Sequence, residues 1–505
     1  MSISATSQRR TPETAHARGC AVWVFLSFAF FYLLCSSGRV RTPDEYMTLY
    51  ETESLVLRQT TAVPQALTTG TFYGKYDRFG QPRAPYPPGQ AVLATPWYAI
   101  GRYAIAYLPG VPADDLDLIV GFASSLSSAV YAAAVVTFAF LILTSIGIPV
   151  IESLFATVLL GLATPLFAYS SWFFSEPLST LIFFVAAYIL FARSDQTLSR
   201  NTAFLGGFVV GLAVIVRPTN VLAIGVFFVA ILVSRRKFDD RALCFGAAAA
   251  IGVAALLLHN AFLFGNPLEF GYPAAAEGGK NLNTFHTPLL VGLYGFLLSP
   301  GKSIFLFAPP TLIAILGLRE LWNRTRGLAT VAALSLPVYL LFFSKYTQWE
   351  GGYCFGPRYL VPSIALLCIA IGPALVRAGR AHRYAAFGLG VLGFAVQAIG
   401  MATSFLEDQA MTGRYYDANW SYRLSYSLRG QIDLLLHYLS ASQPAPLGRG
   451  FDRWFVFLAK AGVSEATVAI LAVGIACCLV FSVVRLFEKA RGVPPSAAGY
   501  DPDNA

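Results

Sequence analysis

Twelve apolar runs divide the chain, near 20–37, 118–143, 149–168, 177–192, 203–216, 220–234, 242–264, 303–318, 328–344, 358–376, 384–404 and 464–484. Most approach the roughly 20 residues that a helix needs to cross a hydrocarbon layer. Length alone would suggest several soluble domains, but runs of this kind point to one helical membrane unit. The expected fold class is therefore all-α, a polytopic membrane protein of about 12 transmembrane helices. Composition agrees: 56% of residues are hydrophobic and 12% are charged, with a mean hydropathy of +0.59. Soluble chains carry roughly twice that share of charge.

The formal charge of +9 would raise nucleic acid as a partner in a soluble protein. Here the basic residues sit between apolar runs, and no basic stripe with interleaved aromatics lies outside them, so no nucleic-acid partner is expected. The seven cysteines form no CxxC pair, which argues against both a zinc site and a disulfide framework. Arg9, Arg10 and Arg18 precede the first apolar run, and no small-residue cleavage site follows it, so an uncleaved signal-anchor helix is expected.

Charge sets the topology. Short basic loops hold Arg193 and Arg200, then Arg235, Arg236, Lys237 and Arg241, then Arg319, Arg324 and Arg326, then Arg377, Arg380 and Arg383; Arg485, Lys489 and Arg491 follow the last run. With twelve helices all of these fall on the side of the N-terminus, which places both termini in the cytoplasm. The expected layout is a tail at 1–19, a core at 20–404, an outer loop at 405–463, a last helix at 464–484 and a tail at 485–505, disordered from Val493. Within the core the outer segments are 38–117, 265–302 and 345–357. Runs 203–216 and 220–234 are short and also read as one hairpin broken at Pro218. Residues 90–107 and 451–460 are rich in aromatic and aliphatic side chains, and the first of these reads as a helix lying on the membrane surface.

The outer segments hold the candidate chemistry, since long loops usually carry function. Asp44 and Glu45 follow Pro43 just past the first run. They read either as a site or as the acidic first turn of a surface helix. Lys75, Arg83 and Tyr86 follow, and Pro87-Pro88 opens the surface helix. Glu176 heads the fourth run behind Ser175, where a plain helix start capped by Ser175 is the other reading. Arg217 marks the tip of the hairpin, as an anion ligand or a snorkelling anchor. Lys302 and Arg358 each open a helix, where free amides add to an anion site. The Ser299–Ser303 stretch lacks the frame of a phosphate loop. His286 and Glu350 are lesser candidates, and Trp349 and Tyr353 fit either a sugar platform or the aromatic belt.

Three motifs taken together resemble a known family. These are Asp44-Glu45 after helix one with Pro87-Pro88 beyond it, Ser175-Glu176-Pro177 at helix four, and Arg358-Tyr359-Leu360-Val361-Pro362 at helix ten. In order and side they resemble the GT-C superfamily of membrane glycosyltransferases, in particular the protein O-mannosyltransferase and lipid A aminoarabinose transferase group. The likeness covers roughly the first 400 residues. It implies a GT-C-like fold with a large first periplasmic loop containing surface helices, in a bacterial inner membrane with the active site facing the periplasm. It implies a polyprenyl-phosphate-linked sugar as donor and a glycan, lipid or protein as acceptor. Asp44, with Glu45 beside it, falls where the family has its catalytic acid, and Glu176 stands where an Asp is commoner. Glu176, Arg358, Lys302, Arg217, Lys75, Arg83, Tyr86 and Tyr359 are the expected substrate-binding residues.

Such a transfer needs cations near the leaving phosphate and a carboxylate near the acceptor hydroxyl. A divalent cation, Mg or Mn, held by Asp44, Glu45 and Glu176 is left open. Two other functions fit a twelve-helix chain: a transporter or flippase of lipid-linked sugar, and a surface-polysaccharide ligase or polymerase. A transporter would place its charges near the bilayer midplane in two related halves. Here they gather at helix ends.

Overall fold

The computed structural model describes residues 12–107, 116–192, 198–272, 285–352, 354–405, 428–440, 453–460 and 462–491. Arg9, Arg10, Arg193, Tyr353, most of the expected loop 405–463 and the tail from Val493 lie outside the described residues.

All twelve apolar runs are helical, because hydropathy is a local property of the chain. Among the described residues seven helices are long and apolar enough to span a bilayer, among them His16–Cys35, Leu116–Ser145, Asp240–Phe264 and Glu465–Arg491. Four shorter apolar helices accompany them: Val150–Leu162, Glu176–Phe191, Arg200–Val216 and Arg358–Cys368. Three runs that read as continuous are broken. Pro165 restarts the chain behind a Thr164 cap after Val150–Leu162. Pro309 and Pro310 separate Ile304–Phe307 from Thr311–Arg324. Pro373 cannot donate to Ile369, and a break there divides Val361–Cys368 from Ile371–Val376. The Pro218 hairpin forms as expected, with a short turn at Pro218–Asn220 joining Arg200–Val216 to Val221–Arg235.

Contacts at the helix ends sort the loops into two groups. At one end Arg241 donates to Leu198 O (2.6 Å), Arg324 donates to Gly147 O (3.2 Å) and Arg383 pairs with Glu152 (3.1 Å). Lys489 lies against Gly19 at the same end. The basic loops thus share one end of the bundle. The acidic loops share the other. There the Pro43–Arg58 helix and the Gly89–Tyr103 helix lie over the bundle, the latter starting directly after Pro88. Gly89–Tyr103 buries Ala91, Ala94 and Tyr98 and exposes Val92, Leu93, Ile100 and Tyr103, as a helix on a membrane surface does.

Small residues let two helices touch. A Cβ at Gly207 would stand 2.2 Å from Phe245 O, and one at Gly252 would stand 2.1 Å from Gly211 O. Gly207 and Gly211 form the four-residue small spacing that close membrane helix pairs use. Gly211→Leu is expected to force Arg200–Val216 off Asp240–Phe264 and to cost about 1–3 kcal/mol. Thermal unfolding in detergent should show it as a lowered midpoint; an unchanged midpoint would refute the close packing.

Candidate functional site: two acids on one guanidinium

The acidic end is built by backbone clamps. Thr42 caps the Pro43–Arg58 helix, its Oγ1 accepting from Glu45 N (3.2 Å), while Glu45 Oε2 accepts from Thr42 N (2.9 Å) and Arg41 N (3.0 Å). This capping box satisfies donors that a helix start leaves orphaned. Glu45 Oε1 reaches across and accepts from Phe173 N at 2.8 Å, and Gln90 Nε2 donates to Phe173 O at 3.0 Å. Ser37 holds Ser171 by both backbone and side chain, at 2.8 and 3.0 Å. Tyr169 Oη donates to Phe355 O at 2.9 Å. The segments carrying Asp44, Glu176 and Arg358 are therefore fixed to one another by hydrogen bonds between side chains and main chains.

On that frame four charged side chains meet. Arg358 Nε donates to Glu176 Oε1 at 2.8 Å, and its NH1 donates to Asp44 Oδ2 at 3.0 Å. Arg217 NH1 donates to the same Glu176 oxygen at 2.7 Å. The Arg358 guanidinium lies 3.9 Å from the centre of the Phe174 ring, and that of Arg217 lies 4.8 Å from the centre of Tyr359. The two carboxylates differ in access. The Asp44 side chain is 28% exposed and the Glu176 side chain is sealed. Glu176 Oε2 is buried with no hydrogen-bond partner. Asp44 Oδ1 has no partner among the described residues, so it is the open carboxylate oxygen of the cluster.

Tyrosines surround the cluster. Tyr359 stacks on Phe343 with ring centres 4.4 Å apart, and Tyr346 packs against Tyr359 at 5.8 Å. Tyr86 meets Tyr272 edge to face at 5.8 Å. Burial, and then the charge of Asp44, pushes the Tyr86 and Tyr73 phenols well up. Burial pushes Tyr272 up to about 12, and Arg217 nearby pulls against that. All three stay neutral hydroxyls at physiological pH.

Of the residues expected in the site, Asp44, Glu176, Arg217, Arg358, Tyr359 and Tyr86 come together. Arg217 is thus an ion-pair partner and not a snorkelling anchor. Glu45 stands beside them, but both of its oxygens hold backbone. Lys75 pairs with Glu269. Arg83 is fixed on Asp77 (2.8 Å) and Thr61 (2.6 Å); burial pushes the Asp77 carboxyl up, but the backbone donor of Gln81, then Arg83 and the Phe79 donor, outweigh it and hold it below its usual range. Lys302 is buried on Cys354, with Nζ 3.1 Å from the carbonyl oxygen and 3.2 Å from Sγ. His286 is exposed. Trp349 is buried against Gly295 and Phe296, neither in a belt nor open to a sugar. The helix at Glu176 starts without a side-chain cap, so Ser175 is not its N-cap. Tyr73, Tyr272 and Tyr346 carry no motif, and the sequence did not point to them.

The oxygens here fit a divalent cation poorly. Glu45 is fully engaged, Glu176 Oε2 is closed off, and a guanidinium fills the space between Asp44 and Glu176. Among the described residues no three His, Cys, Asp or Glu side chains converge. Calcium or magnesium needs about six oxygen ligands, several of them from protein or phosphate.

Fold and site thus define a multi-pass helical membrane protein with a buried two-acid, two-arginine cluster at one end of its bundle. No family model matches the chain, and no curated protein matches it. Among solved structures it is similar to ArnT from Cupriavidus metallidurans bound to undecaprenyl phosphate, at 15% identity over 94% of this chain and 77% of that one, TM-score 0.46. It is similar to the apo state of the same protein, at 13% identity over 93% and 76%, TM-score 0.47. It is also similar to the apo Archaeoglobus fulgidus oligosaccharyltransferase, at 10% identity over 95% and 57%, TM-score 0.39.

Glu45→Ala removes the capping box and frees the Phe173 amide in a buried place. A loss of about 2–4 kcal/mol is expected, because charge-assisted hydrogen bonds are the costly ones to break. Thermal unfolding of the purified variant checks this. A midpoint equal to wild type would show that the clamp carries no stability.

Proposed function

We propose that this chain is a membrane glycosyltransferase. It moves a sugar from a polyprenyl-phosphate donor to a hydroxyl on a glycan, lipid or protein, at the periplasmic face of a bacterial inner membrane. The observation that carries this reading is one guanidinium binding two carboxylates of unequal exposure. The sealed acid, Glu176, orients Arg217 and Arg358. The open acid, Asp44, keeps Oδ1 for a substrate proton. The gathering of the basic loops at the opposite end supports the orientation, since such loops stay in the cytoplasm.

The reaction follows from these roles. The acceptor hydroxyl attacks the anomeric carbon while Asp44 Oδ1 takes its proton. The bond from the anomeric carbon to the phosphate oxygen breaks, and its electron pair leaves with the polyprenyl phosphate. Arg358 and Arg217 stabilise that growing negative charge, which counts most in a site of low polarity. Attack opposite the leaving group inverts the anomeric centre. The tyrosine rim offers neutral hydroxyls as donors to the sugar. In this reading Glu45 positions Asp44 and does not itself take a proton.

The arginine pair takes the charge role that a divalent cation would otherwise fill. Purified protein is expected to bind no Mn²⁺ by electron paramagnetic resonance, and chelator is expected to leave transfer unchanged. A bound Mn²⁺ that Asp44→Asn removes would contradict this assignment.

Asp44→Asn is expected to lower transfer by about 10²–10⁴-fold, the usual worth of a general base, with folding and insertion intact. Mass spectrometry of products from reconstituted membranes, using lipid-linked sugars from the native strain, measures it. Full transfer by that variant would refute the base. Passage of labelled lipid-linked sugar across the membrane without a covalent product would favour a flippase.

A further inference from the structure

A short hairpin rests against the end of a spanning helix. Lys75–Tyr76 pairs with Pro82–Arg83, and the turn between them holds Asp77, Arg78, Phe79 and Gly80. Asp77 Oδ1 accepts from Phe79 N and Gln81 N, both at 2.8 Å, and Gly80 takes a left-handed φ of +74°. Arg78 N then donates to Leu263 O at 2.8 Å, a carbonyl in the last turn of the Asp240–Phe264 helix that has no acceptor duty within the helix.

That contact sets the depth of the hairpin tip. The helix has 25 residues, so it is roughly 37 Å long against a hydrocarbon layer of about 30 Å. Phe262 lies roughly 3 Å from the helix end, at headgroup level, and Leu258 roughly 9 Å from it, among acyl chains. Both point outward, with Phe262 60% and Leu258 69% exposed. Phe79 packs on Phe262 with ring centres 5.5 Å apart. The Arg78 guanidinium lies over both rings, 4.8 Å from the centre of Phe79 and 5.3 Å from that of Phe262.

The charge on this shelf is uncompensated. The Arg78 side chain is exposed and has neither an acid nor a hydrogen bond among the described residues. The acids nearby are taken, Asp77 by Arg83 and Glu269 by Lys75. Snorkelling lifts a charge out of apolar surroundings. Arg78 does the reverse: it starts from a loop beyond the helix end and lies down on lipid-facing rings. A planar guanidinium matches the oxygens of a phosphodiester, and rings at this depth match the glycerol and upper acyl region beneath one.

We propose that Arg78, Phe79 and Phe262 bind the phosphodiester of an anionic phospholipid in the leaflet at this end of the bundle, with an acyl chain running down past Leu258. The hairpin joins Tyr73 to Tyr86, and both tyrosines lie in the field of Asp44, so the bound lipid pins the loop from which part of the rim hangs. The proposal needs a bilayer around the chain and does not rest on sugar transfer.

Native mass spectrometry of the purified full chain in detergent tests it. The probes are dioleoylphosphatidylglycerol, dioleoylglycerol as the same chains without phosphate, and inorganic phosphate as the same anion without chains. The phospholipid should be retained, and neither comparison should match it. Arg78→Gln should weaken its binding about tenfold, the lower end for a charge-assisted hydrogen bond, and Arg78→Lys should weaken it less. Phe79→Leu and Phe262→Leu should each cost about threefold, the worth of one exposed cation–π contact. Arg58→Gln removes an equal charge from the same end, from an arginine paired with Glu53, and should bind as wild type does. Undiminished binding by Arg78→Gln would overturn the proposal. So would an equal loss in Arg58→Gln, which marks general charge attraction. Dioleoylglycerol held as tightly as the phospholipid would reduce the shelf to an apolar contact, and phosphate held as tightly would make it a site for a free anion; either result overturns it too.

Discussion

Two guanidiniums converge on one oxygen of Glu176, and one of them reaches on to Asp44. Taking four charges out of water costs several kcal/mol each unless they balance and their hydrogen bonds are well made. Here two acids meet two bases with contacts of 2.7–3.0 Å, so the formal charge cancels locally. Geometry of that quality does not come from the side chains alone. It depends on hydrogen bonds from side chain to main chain between three remote segments: Glu45 on Phe173, Ser37 on Ser171 and Tyr169 on Phe355. The bundle beneath serves to bring those segments to one end.

Balance also divides labour between the acids. Glu176 is sealed and doubly paired, so it can do little except hold the arginines in place. Asp44 is tethered by one oxygen and keeps the other. A tether fixes direction, and a free oxygen leaves room for a proton. The tyrosine rim then gives the site uncharged walls next to a charged floor. That is the polarity a sugar phosphate presents in reverse.

Much of this was legible in the chain. Helices followed from hydropathy because each apolar run reports its own surroundings. Their breaks at Pro165, Pro309-Pro310 and Pro373 were also written in the sequence, but unbroken hydropathy ran across them. Glu176, Arg217 and Arg358 could be found because each abuts an apolar run on the same expected side, and Asp44 because it follows the first run by a few residues. Lys75, Arg83 and Lys302 lie on the same expected side and went elsewhere, since charge and side do not specify a partner. Arg83 had a local clue: Asp77 Oδ1 accepts from Phe79 N and Gln81 N in a tight turn that aims its other oxygen at Arg83. Tyr73 and Tyr272 had none, because only tertiary folding brings them to Asp44.

Phosphorus-31 NMR of proteoliposomes loaded with the native lipid-linked sugar puts the central claim to the most direct test, because it watches the bond that the proposed transfer breaks. Wild-type protein with acceptor should convert the phosphodiester resonance to that of a phosphomonoester, and Asp44→Asn should leave it unchanged. A phosphodiester that persists with wild-type protein and acceptor present would contradict sugar transfer at this cluster.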